Sequence, residues 1–312
     1  MKALALDIGG THISCAIVDD RRMLATENIS ADSAQSLRSM LPLLANTLRN
    51  LMNRVSTSPT DCAGVAIAFP GIIDTRSGRI LSTLKKYEDA PSLDLTAWSQ
   101  TEFGLPLRIE NDARMALLGE RHSGAAVDHS DIVMMTLGTG IGGAAMIEGK
   151  LLRGVHAQAG SLGGHLPVAF EGRLCSCGNI GCAEAEAAGW SMPLVARAWP
   201  GFESSTLAQT AEINFRLLFE QAAQGDTVAV GLRDRCLNVW AANAVAQVHA
   251  YDPEVVLLGG GVMSSAAVIV PYVEAYVHRH AWTPWGKPAI RAAQLGNDAA
   301  LLGAVPLLSE VA

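Results

Sequence analysis

Residues 2–11 read Lys2-Ala3-Leu4-Ala5-Leu6-Asp7-Ile8-Gly9-Gly10-Thr11, a short apolar strand that runs directly into a glycine turn. Glycines let backbone amides approach a phosphate group closely, and the Thr11 hydroxyl can add a further donor. The Asp7 carboxylate can hold Mg²⁺ directly or through water. Taken alone, the stretch is equally compatible with a tight hairpin turn.

The same arrangement, an apolar strand that ends in a glycine-rich turn, occurs twice more. Ile132–Leu137 runs into Gly138-Thr139-Gly140-Ile141-Gly142-Gly143, and Val255–Leu258 runs into Gly259-Gly260-Gly261. Close packing alone can explain the second turn, whereas the third offers a flat surface for an adenine ring or ribose. A single Rossmann unit needs only one such turn within a compact βαβ. Three separated turns therefore predict two similar α/β halves that grip a nucleotide.

Composition limits the classes of protein that the chain can represent. Its 312 residues suffice for two domains with full cores. The formal charge of −7 argues against nucleic acid as a partner. The first residues run straight into a strand, so we expect no signal peptide. Glycines, serines and Pro271 interrupt the most apolar stretch, so we expect no membrane span and a cytoplasmic protein.

Three of the six cysteines follow a histidine in the pattern H-x9-C-x-C-x4-C, formed by His165, Cys175, Cys177 and Cys182. Three thiols and an imidazole can close a tetrahedral Cys3His shell around Zn²⁺. Chance clustering or a Cys175–Cys182 disulfide is the alternative, but the adjacent histidine and the Gly-Asn-Ile-Gly turn favour metal. A closed shell leaves no position for water, which predicts a structural zinc. Clustered free thiols suit a reducing compartment.

Two junctions in the first half predict helix starts. A helix over residues 33–55 is expected, with Asp32 as its N-cap. The run Glu110-Asn111-Asp112 lies where a strand over 107–109 passes into a helix over 112–122. From the residues alone, Asn111 or Asp112 can be the cap of that helix.

Taken together, these motifs resemble the ROK family of sugar kinases and sugar-responsive repressors, within the hexokinase–actin–heat-shock chaperone superfamily. The resemblance covers essentially the whole chain. It implies two actin/hexokinase-like (ribonuclease H-like) α/β domains that flank a deep nucleotide- and sugar-binding cleft. We expect residues 1–113, joined by a C-terminal helix at about 298–312, to form the small domain. Residues 114–297 would form the large domain with the zinc motif, and family members are commonly homodimers.

The resemblance also implies roles for individual residues. Asp112 would take the proton from the attacking sugar hydroxyl, and Asn111 would orient the sugar. Further sugar contacts are expected from Pro70, Gly71, Glu184, Ser161 and His165. ATP with its Mg²⁺ is expected at Asp7, Gly9, Gly10, Thr11, Gly138, Thr139, Gly140, Gly142, Gly260 and Gly261. Zinc would fix the loop that presents Glu184.

Two segments depart from the family pattern. Ser161 stands where most family kinases have a sugar-binding glutamate, and an extra glycine precedes His165, so alignment from that side puts Leu162 there. Losing a charged acceptor is expected to cost about 1.5–3 kcal/mol of sugar binding. Lys85 and Lys86 replace a family Pro-Asn; they can meet an anionic substituent or be solvated loop lysines. His156 is a weaker candidate for a sugar contact.

The function expected from the resemblance is that of an ATP:sugar phosphotransferase of the hexokinase type. It would transfer the γ-phosphoryl group to a hydroxyl, the primary 6-OH, of a hexose or hexose derivative. The alternative is a catalytically weak or inactive sugar-binding or sensing protein without a DNA-binding domain. Family regulators carry a helix-turn-helix ahead of the first glycine turn, and here that turn begins at Asp7.

Overall fold

The computed structural model of the protein describes residues 1–83 and 86–310. Its strands are β1 Lys2–Ile8, β2 His12–Asp19, β3 Arg22–Ser30, β4 Cys62–Phe69, β5 Ile72–Asp74, β6 Arg79–Ser82, β7 Leu107–Asn111, β8 Ile132–Leu137, β9 Ile141–Ile147, β10 Lys150–Leu151, β11 Val255–Gly259 and β12 Ala289–Ala292. Its helices are α1 Leu37–Arg54, α2 Leu95–Phe103, α3 Asp112–Ser123, α4 Ala183–Ala187, α5 Met192–Arg197, α6 Phe215–Ala223, α7 Thr227–Tyr251, α8 Ala266–His280, α9 Ala299–Leu302 and α10 Ala304–Ser309.

The first sheet has the strand order β3-β2-β1-β4-β7. β1, β2 and β3 form an antiparallel meander, whereas β1, β4 and β7 are parallel. Asp7 pairs with Ala68, and Phe69 pairs with Asn111. Because the carboxyl ends of parallel strands meet at one edge of a sheet, this register brings Asp7, the residues after β4 and Asn111 to the same edge.

The second sheet repeats that arrangement with the order β10-β9-β8-β11-β12. β8, β9 and β10 form the meander, and β8, β11 and β12 are parallel. Gly259 pairs with Thr136, so the second and third glycine turns leave neighbouring strands at one edge. The expectation of two similar α/β halves is confirmed, and with it the fold class.

Each sheet has its own hydrophobic core. Leu4 and Leu6 of β1 are buried with Leu44 and Leu48 of α1 in the first. In the second, residues of β8 and β11 are buried with Trp240 in the middle of α7. The packing of an apolar helix face on each sheet supplies the main stabilisation of these layers.

By their internal contacts the described residues divide into two compact units. The first unit comprises Met1–Asp128, Arg153–Ala159 and the described residues from Gln294 on; the second comprises His129–Leu152 and Gly160–Ala293. All of α3 therefore groups with the first sheet, as do α9 and α10. These units are defined by internal contacts, so the domain boundary expected after residue 113 stays a prediction. No helix within the described ranges is long and apolar enough to cross a membrane.

The start of α1 differs from the expectation. The helix begins at Leu37, and the predicted N-cap Asp32 is wrong. Asp32 instead accepts a hydrogen bond from the amide of Ala34 at 3.0 Å, which is a local turn. The amides of Leu37 and Arg38 donate to Asp89 at 2.8 and 3.0 Å, so a distant carboxylate caps the helix.

Candidate functional site

Backbone hydrogen bonds fix the first glycine turn, while two of its amides donate no hydrogen bond to the described residues. The Gly9 amide donates to the carbonyl oxygen of His12 at 2.9 Å, which closes the turn. The carbonyl oxygens of Gly10 and Thr11 accept hydrogen bonds from amides of the loop at residues 31–33. Within residues 1–83 and 86–310, the amides of Gly10 and Thr11 donate no hydrogen bond. Two free amides of this kind favour a phosphate group, and the nearby Asp7 carboxylate is the type of ligand that Mg²⁺ prefers.

Asn111, not Asp112, is the N-cap of α3. Its side-chain oxygen accepts hydrogen bonds from the amides of Ala113 and Arg114 at 3.1 and 3.2 Å. Asp112 is the first helical residue, and its Oδ1 accepts from the Asn111 amide group at 2.9 Å and from the Ala113 amide at 2.8 Å. In the described part of the chain, these side-chain contacts of Asp112 all involve Oδ1. The cap therefore orients the carboxylate, and Oδ2 accepts neither of these two hydrogen bonds.

The loop after β4 lies against the same cap. The side-chain amide of Asn111 donates to the carbonyl oxygen of Gly71 at 3.1 Å. A Cβ on Gly71 would lie 2.2 Å from the carbonyl oxygen of Ser82, so this position accepts only glycine. The structure thus brings the predicted residues Pro70, Gly71 and Asn111 together in the first unit.

Burial raises the pKa of two carboxyl groups of the first unit, those of Asp7 and Asp112. Burial, and secondly the charge of Asp112, raise the pKa of Asp7 to about 7. Burial also raises the pKa of Asp112, although hydrogen bonds from Ala113 and Asn111 and the charge of Lys86 act in the opposite direction. A desolvated carboxylate with a raised pKa is suited to accept a proton near neutral pH.

A buried charged network fastens the segment 153–159 to the first unit. Glu110 is fully buried and accepts from Arg153 Nε at 2.7 Å and from Arg114 at 3.4 Å. The Arg114 guanidinium also donates to the carbonyl oxygens of Ala157 and Ala159, at distances between 2.7 and 3.1 Å. The segment that carries the exposed His156 is therefore fixed to the start of α3, two residues from Asp112.

In the second unit, the turn between β8 and β9 has the same character as the first turn. Within the described ranges the amides of Thr139 and Gly140 donate no hydrogen bond. The Ile141 amide donates to Glu184 Oε2 at 2.9 Å, and the Trp190 indole donates to Glu184 Oε1 at 3.3 Å. Through these two hydrogen bonds Glu184 stabilises the turn between β8 and β9. Its carboxylate oxygens retain lone pairs that can accept hydrogen bonds from a ligand.

A cavity of about 530 Å³ in the second unit joins the second and third glycine turns. Gly260 packs against Leu137 at the end of β8, so the two turns are neighbours. The volume is within the range of small-molecule sites. The cavity combines apolar, aromatic and cationic groups, among them Gly138, Thr139, Trp190, Arg197, Phe215 and Gly261. Gly142 lies farther along, where it pairs with Thr136 inside the sheet.

The predicted metal ligands converge. The ligand atoms of His165, Cys175, Cys177 and Cys182 all lie within 4.8 Å of one another. Cys175 Sγ is 3.5 Å from His165 Nδ1, and Cys177 Sγ is 3.7 Å from Cys182 Sγ. A tetrahedral zinc shell with ordinary bond lengths requires about 3.6 Å and about 3.8 Å for these two separations. The four residues fit Zn²⁺, which the sequence pattern predicts here.

The segment that departs from the family pattern packs tightly in the second unit. A Cβ on Gly164 would lie 1.9 Å from the carbonyl oxygen of Ile141, so the extra glycine permits direct backbone contact with the β8–β9 turn. The buried side chain of Asn243 donates to the carbonyl oxygen of Gly163 at 2.9 Å. Ser161 is half-buried, whereas Leu162 is 40% exposed.

Comparison with known proteins identifies the family. The model of the ROK family matches residues 3–311. The chain belongs to the ROK family. It is 30% identical to the glucokinase of Thermotoga maritima, over 99% of this chain and 98% of that protein. It is 34% identical to the N-acetylmannosamine kinase of Citrobacter koseri, over 98% of each protein.

A solved structure agrees with this membership. A ROK family glucokinase from Streptomyces griseus, crystallised with glucose and AMPPNP, superposes with a TM-score of 0.79 at 29% identity. The match covers 98% of this chain and 99% of that one. The family predicted from the sequence motifs is therefore confirmed.

Several residues near these turns carry no signal in the sequence. Trp190, Arg197 and Phe215 line the cavity of the second unit but belong to no recognisable motif. The sequence marks Glu110 only as the first residue of the run Glu110-Asn111-Asp112, whereas the structure buries its carboxyl group against Arg114 and Arg153. Of the two loop lysines, Lys85 lies outside the described residues, whereas Lys86 lies beside Gly10.

Proposed function

We propose that this protein transfers the γ-phosphoryl group of ATP to a hydroxyl of a hexose or hexose derivative, the primary 6-OH, with Asp112 as general base. The class of enzyme is that of a hexokinase-type phosphotransferase, which the relatives named as glucokinase and N-acetylmannosamine kinase support. The observation on which the proposal depends is the desolvated Asp112 carboxylate, which Asn111 orients at the edge of the first sheet.

In the proposed reaction, Asp112 takes the proton of the sugar hydroxyl as the oxygen attacks the γ-phosphorus. The new O–P bond forms while the bond between the γ-phosphorus and the β–γ bridging oxygen breaks, and ADP leaves. Such a base contributes about 10²–10⁴ to the rate. The proposed sugar contacts are Asn111, the backbone at Pro70 and Gly71, Ser161, Glu184 and His165.

The phosphate groups of the nucleotide are proposed to accept hydrogen bonds from backbone amides that donate none within the described part of the chain. These are the amides of Gly10 and Thr11 in the first unit and of Thr139 and Gly140 in the second. The cavity lined by Trp190 and Gly261 would take the nucleoside. Asp7 is the proposed carboxylate for Mg²⁺, which neutralises phosphate charge when bound.

A structural role is proposed for Zn²⁺ at His165 and the three cysteines. A closed Cys3His shell supplies folding energy and no chemistry. Its ligand Cys182 lies two residues before Glu184, so the metal would fix the start of α4. The clustered thiols support the prediction of a reducing, cytoplasmic environment. A homodimeric state stays a prediction.

A sugar panel tests the proposed function. Purified protein with MgATP would be assayed for ADP release with glucose, N-acetylmannosamine, N-acetylglucosamine, allose and fructose, with 31P NMR of the product. At least one sugar should give a sugar phosphate, whose 31P–1H coupling identifies the esterified hydroxyl. Measurable ATP binding without turnover of any sugar would contradict the kinase assignment and favour a sugar-binding or sensing protein.

A further inference from the structure

The loop that carries Lys86 is fastened at two points in the first unit. The Tyr87 hydroxyl donates to the carbonyl oxygen of Gly9 at 2.8 Å, and the Tyr87 amide donates to the carbonyl oxygen of Ser33 at 2.7 Å. Two residues further on, Asp89 caps α1. The Tyr87 ring is fully buried. These anchors distinguish residues 86–89 from a solvated surface loop.

The backbone of this loop also has a costly conformation. Tyr87 has φ of 49°, in the left-handed region that a bulky side chain seldom adopts. Such strain persists only where the surrounding contacts over-determine it, and it concentrates at functional sites. Here the contacts to Gly9 and Ser33 impose the conformation, and the preceding residue is directed to the first glycine turn.

The Lys86 ammonium lies at that turn. A Cβ on Gly10 would be 3.6 Å from Lys86 Cε and 3.8 Å from Lys86 Nζ. The side chain is half-buried. Among residues 1–83 and 86–310, Lys86 Nζ has no hydrogen bond and no ion pair. A held, partly desolvated ammonium without a protein acceptor is a candidate for contact with an anionic ligand.

The charges around Lys86 indicate which anion. Lys86 interacts electrostatically with Asp112, the proposed base, and its head group borders Gly10, whose free amide suits a phosphate. A cation that borders a phosphate-binding turn and interacts with the proposed base is positioned for an anionic group bound near both.

We propose that Lys86 contacts the transferring phosphoryl group and stabilises the charge on its oxygens in the transition state. The inference rests on the proposed kinase function. While Asp112 takes the hydroxyl proton and ADP leaves, Lys86 donates a hydrogen bond to a non-bridging phosphoryl oxygen and keeps its own protons. Preorganised donors of this kind contribute more in the transition state than in the ground state.

The test compares Lys86→Met and Lys86→Arg with a matched control, Lys150→Met, which removes an exposed lysine of the second unit. With a neutral sugar, Lys86→Met should lower kcat by about 10²–10³-fold while KM for sugar and Kd for ATP change less than about threefold. Lys86→Arg should recover part of kcat, and Lys150→Met should match wild type. Unchanged thermal unfolding would show that Lys86→Met folds.

A binding measurement gives a second readout. ADP and aluminium fluoride, added with sugar and Mg²⁺, imitate the transferring phosphoryl group. Calorimetry should show binding of this mixture weakened at least about tenfold in Lys86→Met, with ADP alone unaffected.

Three outcomes would overturn the assignment. Wild-type kcat in Lys86→Met would exclude the phosphoryl contact and leave the proposed kinase function intact. A raised KM confined to sugars that bear a carboxylate or phosphate would mean that Lys86 recognises the acceptor instead. A wild-type protein without turnover would overturn both proposals, since the second depends on the first.

Discussion

Asp7 and Asp112 are two carboxyl groups of one unit whose burial disfavours their charged forms. The pKa of Asp7 is about 7, well above its ordinary value of 3.8. Between these values the folded protein holds a proton that the unfolded chain has lost, so the contribution of Asp7 to stability falls as pH rises through this window. The charged form, which Mg²⁺ requires, predominates only above about pH 7.

This acidity predicts a pH dependence. At subsaturating MgATP, kcat/KM for ATP should rise through an ionisation near pH 7. In Asp112→Asn the acid limb for MgATP binding should move to lower pH, because the repulsive charge is gone. Steady-state kinetics between pH 5 and 9 checks the first expectation, and calorimetric titration of MgATP over the same range checks the second. MgATP affinity that stays constant over this range would contradict the role of Asp7.

The sequence alone nominates the candidate site residues of the first unit, because their spacing is local. Asp7 and the glycines after it, and Asn111 next to Asp112, are adjacent in sequence. The sequence does not predict which of Asn111 and Asp112 caps α3. Either residue can cap a helix, and the choice of Asn111 depends on where β7 ends and the helix geometry starts.

At the scale of elements, the N-terminus of α1 shows how a distant residue replaces a local signal. Asp89 is 52 residues from Leu37, and its carboxylate accepts a hydrogen bond from the Leu37 amide. It accepts another from the Ser36 hydroxyl. Burial alone would raise the pKa of Asp89, but hydrogen bonds from Arg38, Ser36 and Leu37 outweigh it and lower the pKa. A sequence pattern cannot reveal such a cap, because only the tertiary fold brings the loop to the helix.

Removing this cap should destabilise the first unit. We expect Asp89→Ala to lower the free energy of unfolding by about 1–2 kcal/mol at pH 7. The matched control Asp32→Ala should cost less than about 0.5 kcal/mol, because Asp32 makes only a local turn. Since the folded pKa of Asp89 is depressed, the difference from wild type should shrink as pH falls below about 4. Urea denaturation of the three proteins decides the matter, and equal losses for both variants would contradict the account.

The loop that carries the proposed zinc ligands Cys175, Cys177 and Cys182 is expected to depend on bound metal for its structure. Substituting Cys177→Ser should lower zinc content and thermal stability together, because three ligands hold the metal less tightly than four. Loss of sugar binding should precede global unfolding when a chelator removes the metal. The control Cys62→Ser changes a buried cysteine of the first unit. Metal analysis with thermal unfolding checks this, and full zinc occupancy in Cys177→Ser would argue against the ligand set.

At the scale of the whole molecule, the same strand order occurs in both sheets. The three glycine turns predict this duplication, because each follows a parallel strand of one of the two sheets. The network of Glu110, Arg114 and Arg153 was not foreseeable. It joins residues 43 apart in sequence, and charges buried in this way follow no periodic pattern. The motifs do not identify the acceptor sugar, because Ser161 or Leu162, depending on the alignment, stands where the resemblance implies a sugar-binding glutamate.

Rapid-quench measurement of sugar phosphate formation in Asp112→Asn decides whether Asp112 removes the proton from the sugar hydroxyl. Sugar affinity would be measured in parallel, with Asp94→Asn, a helix cap of α2, as the control. We predict a rate of product formation about 10²–10⁴-fold below wild type. Sugar affinity should stay within about threefold, and the control should retain full activity. Product formation near the wild-type rate in Asp112→Asn would contradict the account and reduce Asp112 to a residue of the helix terminus.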